Sequence, residues 1–223
     1  EDLGRAFPGV LVLVADGERQ LLQVGDEPAL VIATRGAEPV AKGGYAAVLL
    51  LDGEGMLARE SLRVGEDCLR AWSNAAALAS PAASIVLVGV GGALATALTT
   101  WKQADYARAE LSDRRRLRFP PAVRVATVTG TPERVAEATI AAVEAGAAHA
   151  LDVLGPVVLP DGSVRSIVRF DYASGTTVAA QLRAEVIRAA TGRRPPRPTA
   201  ANQGRRPLLL RVRFDDSEPF LEV

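Results

Sequence analysis

Residues 105–124 read DYARAELSDRRRLRFPPAVR, and this stretch divides the chain. An acid-flecked helix runs into Arg114, Arg115, Arg116 and Arg118, then into Phe119, Pro120 and Pro121. Proline has no N–H to donate, and the residue before it is pushed out of the α region. The helix must therefore stop near Leu117, and a new strand is expected over Val123–Val128. The boundary separates residues 1–103, a linking helix over 104–118, and residues 119–223.

Upstream lie apolar runs of strand length: Val10–Ala15, Ala29–Ala33, Ala46–Leu51 and Ser84–Val90. Continuous aliphatic runs suit strands covered on both faces. Between the last two, Met56–Ala79 carries Leu62, Leu69, Trp72, Ala76 and Leu78 at helical spacing. Ala93–Leu98 and Tyr106–Leu117 read as further helices. Alternating strands and helices argue for an α/β layer built on a parallel, helix-covered sheet.

Downstream the rhythm changes. After a strand over Val123–Thr129, Thr131-Pro132-Glu133 opens a helix to Ala145, with threonine as N-cap and proline in the first turn. Gly146 closes it. Val153–Leu159, Pro160-Asp161-Gly162 and Val164–Phe170 form a strand, a turn and a strand. A helix over Thr176–Ala190 and a strand over Leu208–Phe214 complete the order βαββαβ. That order is the ferredoxin-like split arrangement, an antiparallel sheet with both helices on one face. Before the last strand, GRRPPRPTAANQGRR (192–206) has five arginines and no acid, the composition of a mobile loop.

The 223 residues suit one large or two small domains, and the apolar share of 48% allows real cores. No apolar run is long enough to span a bilayer, and no signal pattern opens the chain. A single cysteine, Cys68, can make neither an internal disulfide nor a zinc site, so a reducing, cytoplasmic setting is expected. Cys68 reads as a small core residue. The formal net charge of zero hides an asymmetry: residues 1–103 carry 8 Lys+Arg against 12 Asp+Glu, and residues 104–223 carry 18 against 14. Such asymmetry marks a nucleic-acid or acidic-partner surface, and it also follows from GC-rich coding.

The motif search narrows the chemistry. GVGGALATAL (89–98) follows a strand but lacks the Gly-Lys-Ser/Thr that grips phosphate and Mg²⁺. It reads as a tight strand-to-helix turn. Leu49–Asp52 imitates an acidic strand end, yet Asp52 has no partner loop. Asp215 and Asp216 read as an exposed acidic pair, His149 as a surface or capping residue, and Phe119, Phe170 and Tyr172 as core. No catalytic or metal constellation emerges. The arginines alone have a positive rationale, since guanidinium groups stay charged and bind phosphate bidentately. Arg114, Arg115, Arg116 and Arg118 at the junction, and Arg193, Arg194, Arg197, Arg205 and Arg206 in the loop, are candidate DNA-backbone contacts. The competing reading of the first group is a solvated helix end, where cations favour the dipole.

ELSDRRRLRFPP (110–121), the run Leu30–Ala79 and Leu154-Gly155-Pro156 together resemble the C-terminal part of the primosomal protein N′ family, bacterial replication-restart helicases. The resemblance implies that Leu3–Asp113 is part of a second RecA-like helicase lobe and that Phe119 onward is the family's C-terminal domain. It also implies a first lobe and a DNA-binding domain upstream, making this chain a fragment. The departures matter as much. Where helicase members carry Gly-Thr-Gln and Lys-Gly, this chain reads ATRGAEPVA (33–41). Where they carry the arginine that reaches the γ-phosphate, it reads SNAAALASP (73–81). Loss of an arginine finger costs orders of magnitude in phosphoryl transfer. The family's cysteine-rich zinc insertion is missing as well. A degenerate, helicase-inactive branch is expected, with ATP, Mg²⁺ and zinc sites absent from this segment.

The expected function is therefore binding of forked or single-stranded DNA and of primosome and helicase-loading proteins at stalled or repaired forks, without ATP turnover. Two rivals stand beside it. One is a nucleotide-binding enzyme using the Gly89–Gly92 turn and Asp52. The other is a protein-interaction module whose arginine loop docks acidic partners.

Overall fold

The computed structural model describes residues 7–146, 151–191 and 209–216, and the chain divides into two compact units, Glu1–Arg108 and Ala109–Val223. The architecture is mixed α/β, with parallel pairing in the first unit and antiparallel pairing in the second.

In the first unit the strands are β1 (Leu11–Ala15), β2 (Gln23–Val24), β3 (Ala29–Ala33), β4 (Val40–Ala41), β5 (Tyr45–Leu50) and β6 (Ala79–Leu87). They pair in parallel as β1–β3, β2–β4 and β5–β6. A single continuous sheet was the expectation; three two-stranded ladders are what form. The long helix expected over Met56–Ala79 is also two pieces, α1 (Gly53–Leu57) and α2 (Val64–Ala76). They are separated at Arg59–Arg63, where the Arg63 N–H donates to the Ser61 hydroxyl at 3.2 Å, a local turn bond that competes with helix. Ala79, the expected end of the helix, starts β6 instead.

The α2 stripe Cys68, Leu69, Trp72, Ala75 and Ala76 recurs at three- and four-residue steps, and all but Ala76 pack with Leu50, Ala97 and Leu98 into one core. Ala97 and Leu98 lie on α3 (Gly92–Thr99). Cys68 is fully buried there, as its sequence context suggested. The strands do not follow the expectation of burial on both faces. Leu11, Val14, Leu49, Ile85 and Val86 are exposed, because the helices cover the β5–β6 ladder over Val48, Leu50 and Leu87 alone.

The helix α4 (Gln103–Leu117) crosses the division between the units. It lacks an apolar stripe, and ion pairs with dipole matching sustain it instead. Asp105 sits in the first turn and Arg114–Arg116 in the last, with Asp105–Arg108, Glu110–Arg114 and Asp113–Arg116 pairing along it. It ends at Leu117, as the prolines require, with Arg118 left-handed at φ 53°.

The second unit runs β7 (Arg124–Gly130), α5 (Pro132–Ala145), β8 (Leu151–Val158), β9 (Val164–Phe170), a short 3₁₀ turn, α6 (Gly175–Thr191) and β10 (Arg211–Phe214). Thr131 caps α5, its hydroxyl accepting from the Arg134 N–H at 3.5 Å, and Gly146 is the C-cap. The sheet order is β10-β7-β9-β8, every neighbour antiparallel. Val135, Ala138 and Ala142 of α5 and Val178 and Leu182 of α6 share one core with Ala126, Val128, Val168 and Phe170. Both helices therefore lie on one face. Alanines at the contact let them approach closely, and Phe170 supplies the largest fully buried side chain.

Candidate nucleic-acid interface

The arginines of 114–118 do not form one surface. Arg114 is turned inward: its side chain is 8% exposed, lies 3.6 Å from Glu110, and donates to the Pro120 carbonyl at 3.4 Å. Arg118 is drawn to the sheet, donating to Asp171 at 3.2 Å and lying 3.9 Å from Asp152. A second arginine completes the arrangement. Arg169 of β9 holds Asp152 through Nε at 2.9 Å and Nη2 at 2.7 Å, while its Nη1 donates to the carbonyls of Leu117 and Arg118 at 3.1 and 3.2 Å. Its guanidinium also stands over the Phe119 ring, 5.9 Å from the centroid. The Tyr172 hydroxyl donates to the Pro121 carbonyl at 2.9 Å.

These bonds clamp the end of α4 and the Phe-Pro-Pro segment onto β8 and β9. A helix end leaves orphan carbonyls, and Arg169 satisfies two chain carbonyls there while its other edge grips a carboxylate. Arg114 and Arg118 are spent on the chain's own carbonyls and carboxylates. One expectation is corrected, the placing of Tyr172 in the core. Tyr172 is mostly exposed, its ring outside the core and only its hydroxyl anchored. Nothing in the sequence around Arg169 or Asp152 marked them for this role; only their register partnership across β8 and β9 brings them together.

Arg115 and Arg116 remain on the outside of the last turn. Arg115 has no hydrogen bond or ion pair among the described residues. Arg116 pairs at 2.8 Å with Asp113, both side chains mostly exposed. Such a surface pair is worth under about 1 kcal/mol and yields readily to a phosphate. Arg193, Arg194, Arg197, Arg205 and Arg206 lie outside the described residues, as does His149.

The acidic pair Asp215 and Asp216 is engaged in ion pairs, with Asp215 exposed as expected. Asp215 forms a bidentate bond with Arg124 and its N–H donates to the Val125 carbonyl at 2.9 Å, while Asp216 lies 3.4 Å from Arg213. Asp215 and Arg124 fasten β10 to β7, and the bond raises the Arg124 pKa further above its ordinary value.

The residues of the nucleotide-site candidate lie in a closely packed turn. At Gly89 (φ 75°) a side chain would meet the Glu54 side chain at 3.3 Å, so an acid borders the turn where a phosphate would sit. A Cβ on Gly53 would collide with Val90 at 2.3 Å, which makes these glycines close-packing residues between α1 and the turn after β6. Asp52 is the N-cap of α1 in a left-handed conformation, with no side-chain cap bond. SNAAALASP spans the end of α2 and the start of β6. Among the described residues no group of His, Cys, Asp and Glu could hold a metal, and no helix is long and apolar enough to cross a membrane.

Comparison with known proteins places this architecture. Residues 115–219 match the family model described as the primosomal protein N C-terminal domain. The chain is 40% identical over 199 residues to the protein named "Probable replication restart protein PriA" of Mycobacterium leprae (strain TN), covering 82% of this chain and 30% of that protein. It is 39% identical over 201 residues to the proteins of the same name from Mycobacterium tuberculosis (strain CDC 1551 / Oshkosh) and Mycobacterium bovis (strain ATCC BAA-935 / AF2122/97). In those two the match covers 82% of this chain and 31% and 30% of the relative. The chain thus spans less than a third of the length of these curated relatives. The clamp, the arginine-bearing turn of α4 and the antiparallel sheet all fall in or beside the matched segment, and the chain belongs to the PriA family as a C-terminal region.

Proposed function

We propose that this chain acts in replication restart by binding forked or single-stranded DNA through backbone phosphates and by docking primosome and helicase-loading proteins. The observation that carries this reading is the family membership of the unit that holds Arg115 and Arg116 outward. On this reading the first unit is a partial, degenerate second RecA-like lobe. The second is ferredoxin-like, a reading supported by its βαββαβ order and by strands that run fourth, first, third, second across the sheet. The chain neither hydrolyses ATP nor unwinds DNA, a reading supported by SNAAALASP without an arginine and by Glu54 at the Gly89 turn. Its place is the bacterial cytoplasm, at the fork.

The test separates the two arginine pairs. Charge reversal R115E/R116E should lower affinity for a labelled forked DNA by roughly tenfold, the worth of one or two lost phosphate contacts at low salt, with melting unchanged. Arg114→Ala should instead lower stability by about 1–3 kcal/mol, because it strips a buried donor from its carbonyl. Full affinity in R115E/R116E would remove α4 from the interface. Binding that follows acidic proteins and ignores DNA would favour the interaction-module reading.

A further inference from the structure

One cleft in the first unit gathers cations from separate elements. It is lined by Arg35 and Glu38 of the turn after β3, Arg59 after α1, and Asp67, Arg70 and Asn74 of α2. Arg70 and Asn74 are one helical turn apart, on the side of α2 facing away from Leu69 and Trp72, so the helix presents both to the cleft. Gly36, at φ 84°, reverses the chain and lets the loop carry Arg35 to the rim.

The balance of donors and acceptors points outward. Both carboxylates in the cleft are already engaged: Glu38 accepts from the Gly36 N–H at 3.0 and 2.9 Å, and Asp67 accepts from Arg70 at 2.9 Å. Of the cations only Arg70 meets a carboxylate, its bond to Asp67, and among the described residues Arg35 and Arg59 have no ion pair. Arg59 uses only its Nε, which donates to the Met56 carbonyl at 3.2 Å. Arg35 and the Asn74 carboxamide have no hydrogen bond among the described residues. Three guanidinium groups from three separate elements, with an amide beside them, leave a surplus of N–H donors around one open space. The ligand such a set fits is a tetrahedral oxyanion, since the planar fork matches two oxygens of a phosphoryl group and keeps its charge at every working pH.

We propose that this cleft binds a phosphoryl group, with Arg35 and Arg59 as the principal contacts and Asn74 as a neutral donor. Two sources present that chemistry, a nucleic-acid phosphodiester and a free polyphosphate. The inference is independent of the DNA reading for α4, because it concerns other residues in the other unit.

Nuclear magnetic resonance on the whole chain tests it, following the Gly36 amide, the Arg59 Nε–H and the Asn74 side-chain amide. The probes are inorganic pyrophosphate and a short oligothymidylate, the latter added to R115E/R116E so that α4 does not compete. Saturable shifts of these three signals are expected with at least one probe, weakened about tenfold by R35E or R59E and unchanged by R19E, a reversal at an exposed arginine outside the cleft. Saturation with pyrophosphate alone assigns a free phosphoryl ligand; saturation with the oligonucleotide assigns a backbone phosphate. The proposal is overturned if neither probe shifts the three signals saturably, or if the shifts survive both R35E and R59E. The same spectra report whether each variant is folded.

Discussion

Arg169 illustrates how one side chain can join segments far apart in sequence. It binds Asp152 seventeen residues earlier and two carbonyls more than fifty residues earlier, and its side chain is only 13% exposed. Arg169→Ala should cost about 2 kcal/mol, less than a fully buried pair because Asp152 remains 40% exposed. The loss should appear as faster hydrogen exchange at β7 and β9 amides. Arg169→Lys should not restore protection, since an ammonium cannot span the carboxylate and two carbonyls at once. A second residue-level prediction concerns Asp161 in the hairpin turn. The Ser163 hydroxyl and N–H both donate to it, at 2.6 and 2.9 Å, and hold its carboxyl below the ordinary value, with Arg211 adding a smaller pull. A lowered folded pKa means the turn's contribution is present above the ordinary carboxylate range and lost as pH falls through the lowered value. Titration of the Asp161 carboxyl signal should show that depressed midpoint, and Ser163→Ala should move it back up.

At the level of elements, the second unit was legible because its signals are local. Thr131-Pro132 and Gly146 bracket α5 within three or four residues of the bonds they make, and the Pro160-Asp161-Gly162 turn lies between two clear apolar runs. The junction helix was legible in extent and illegible in orientation. Four arginines within five positions look alike in sequence; the Pro120 carbonyl, Asp152 on β8 and Asp171 just after β9 decide which turn inward. In the first unit the apolar runs marked strands correctly, but coverage is a property of what packs on them, and α2 and α3 reach only one side of the β5–β6 ladder. The residues that line the phosphoryl cleft were invisible for the same reason. Arg35, Arg59 and Arg70 are scattered along the sequence and meet only when the β3 turn folds against α2.

For the whole molecule, the charge asymmetry between halves acquires a definite content. Most described arginines of the second unit are paired, and among them Arg114, Arg118, Arg124 and Arg169 hold the fold; Arg115, Arg183 and Arg211 face solvent, as does Arg116 in its exposed pair with Asp113. A net surplus of arginine therefore overstates the surface available to a polyanion, and the contacts to DNA should be few. The most direct measurement is fluorescence anisotropy of a labelled forked DNA with the full chain, repeated over a series of salt concentrations. Backbone binding predicts that log K falls linearly with log salt, with a slope set by a handful of phosphates, roughly −0.9 for each contact on duplex DNA. A slope near zero, or no binding at the lowest salt, would contradict the account.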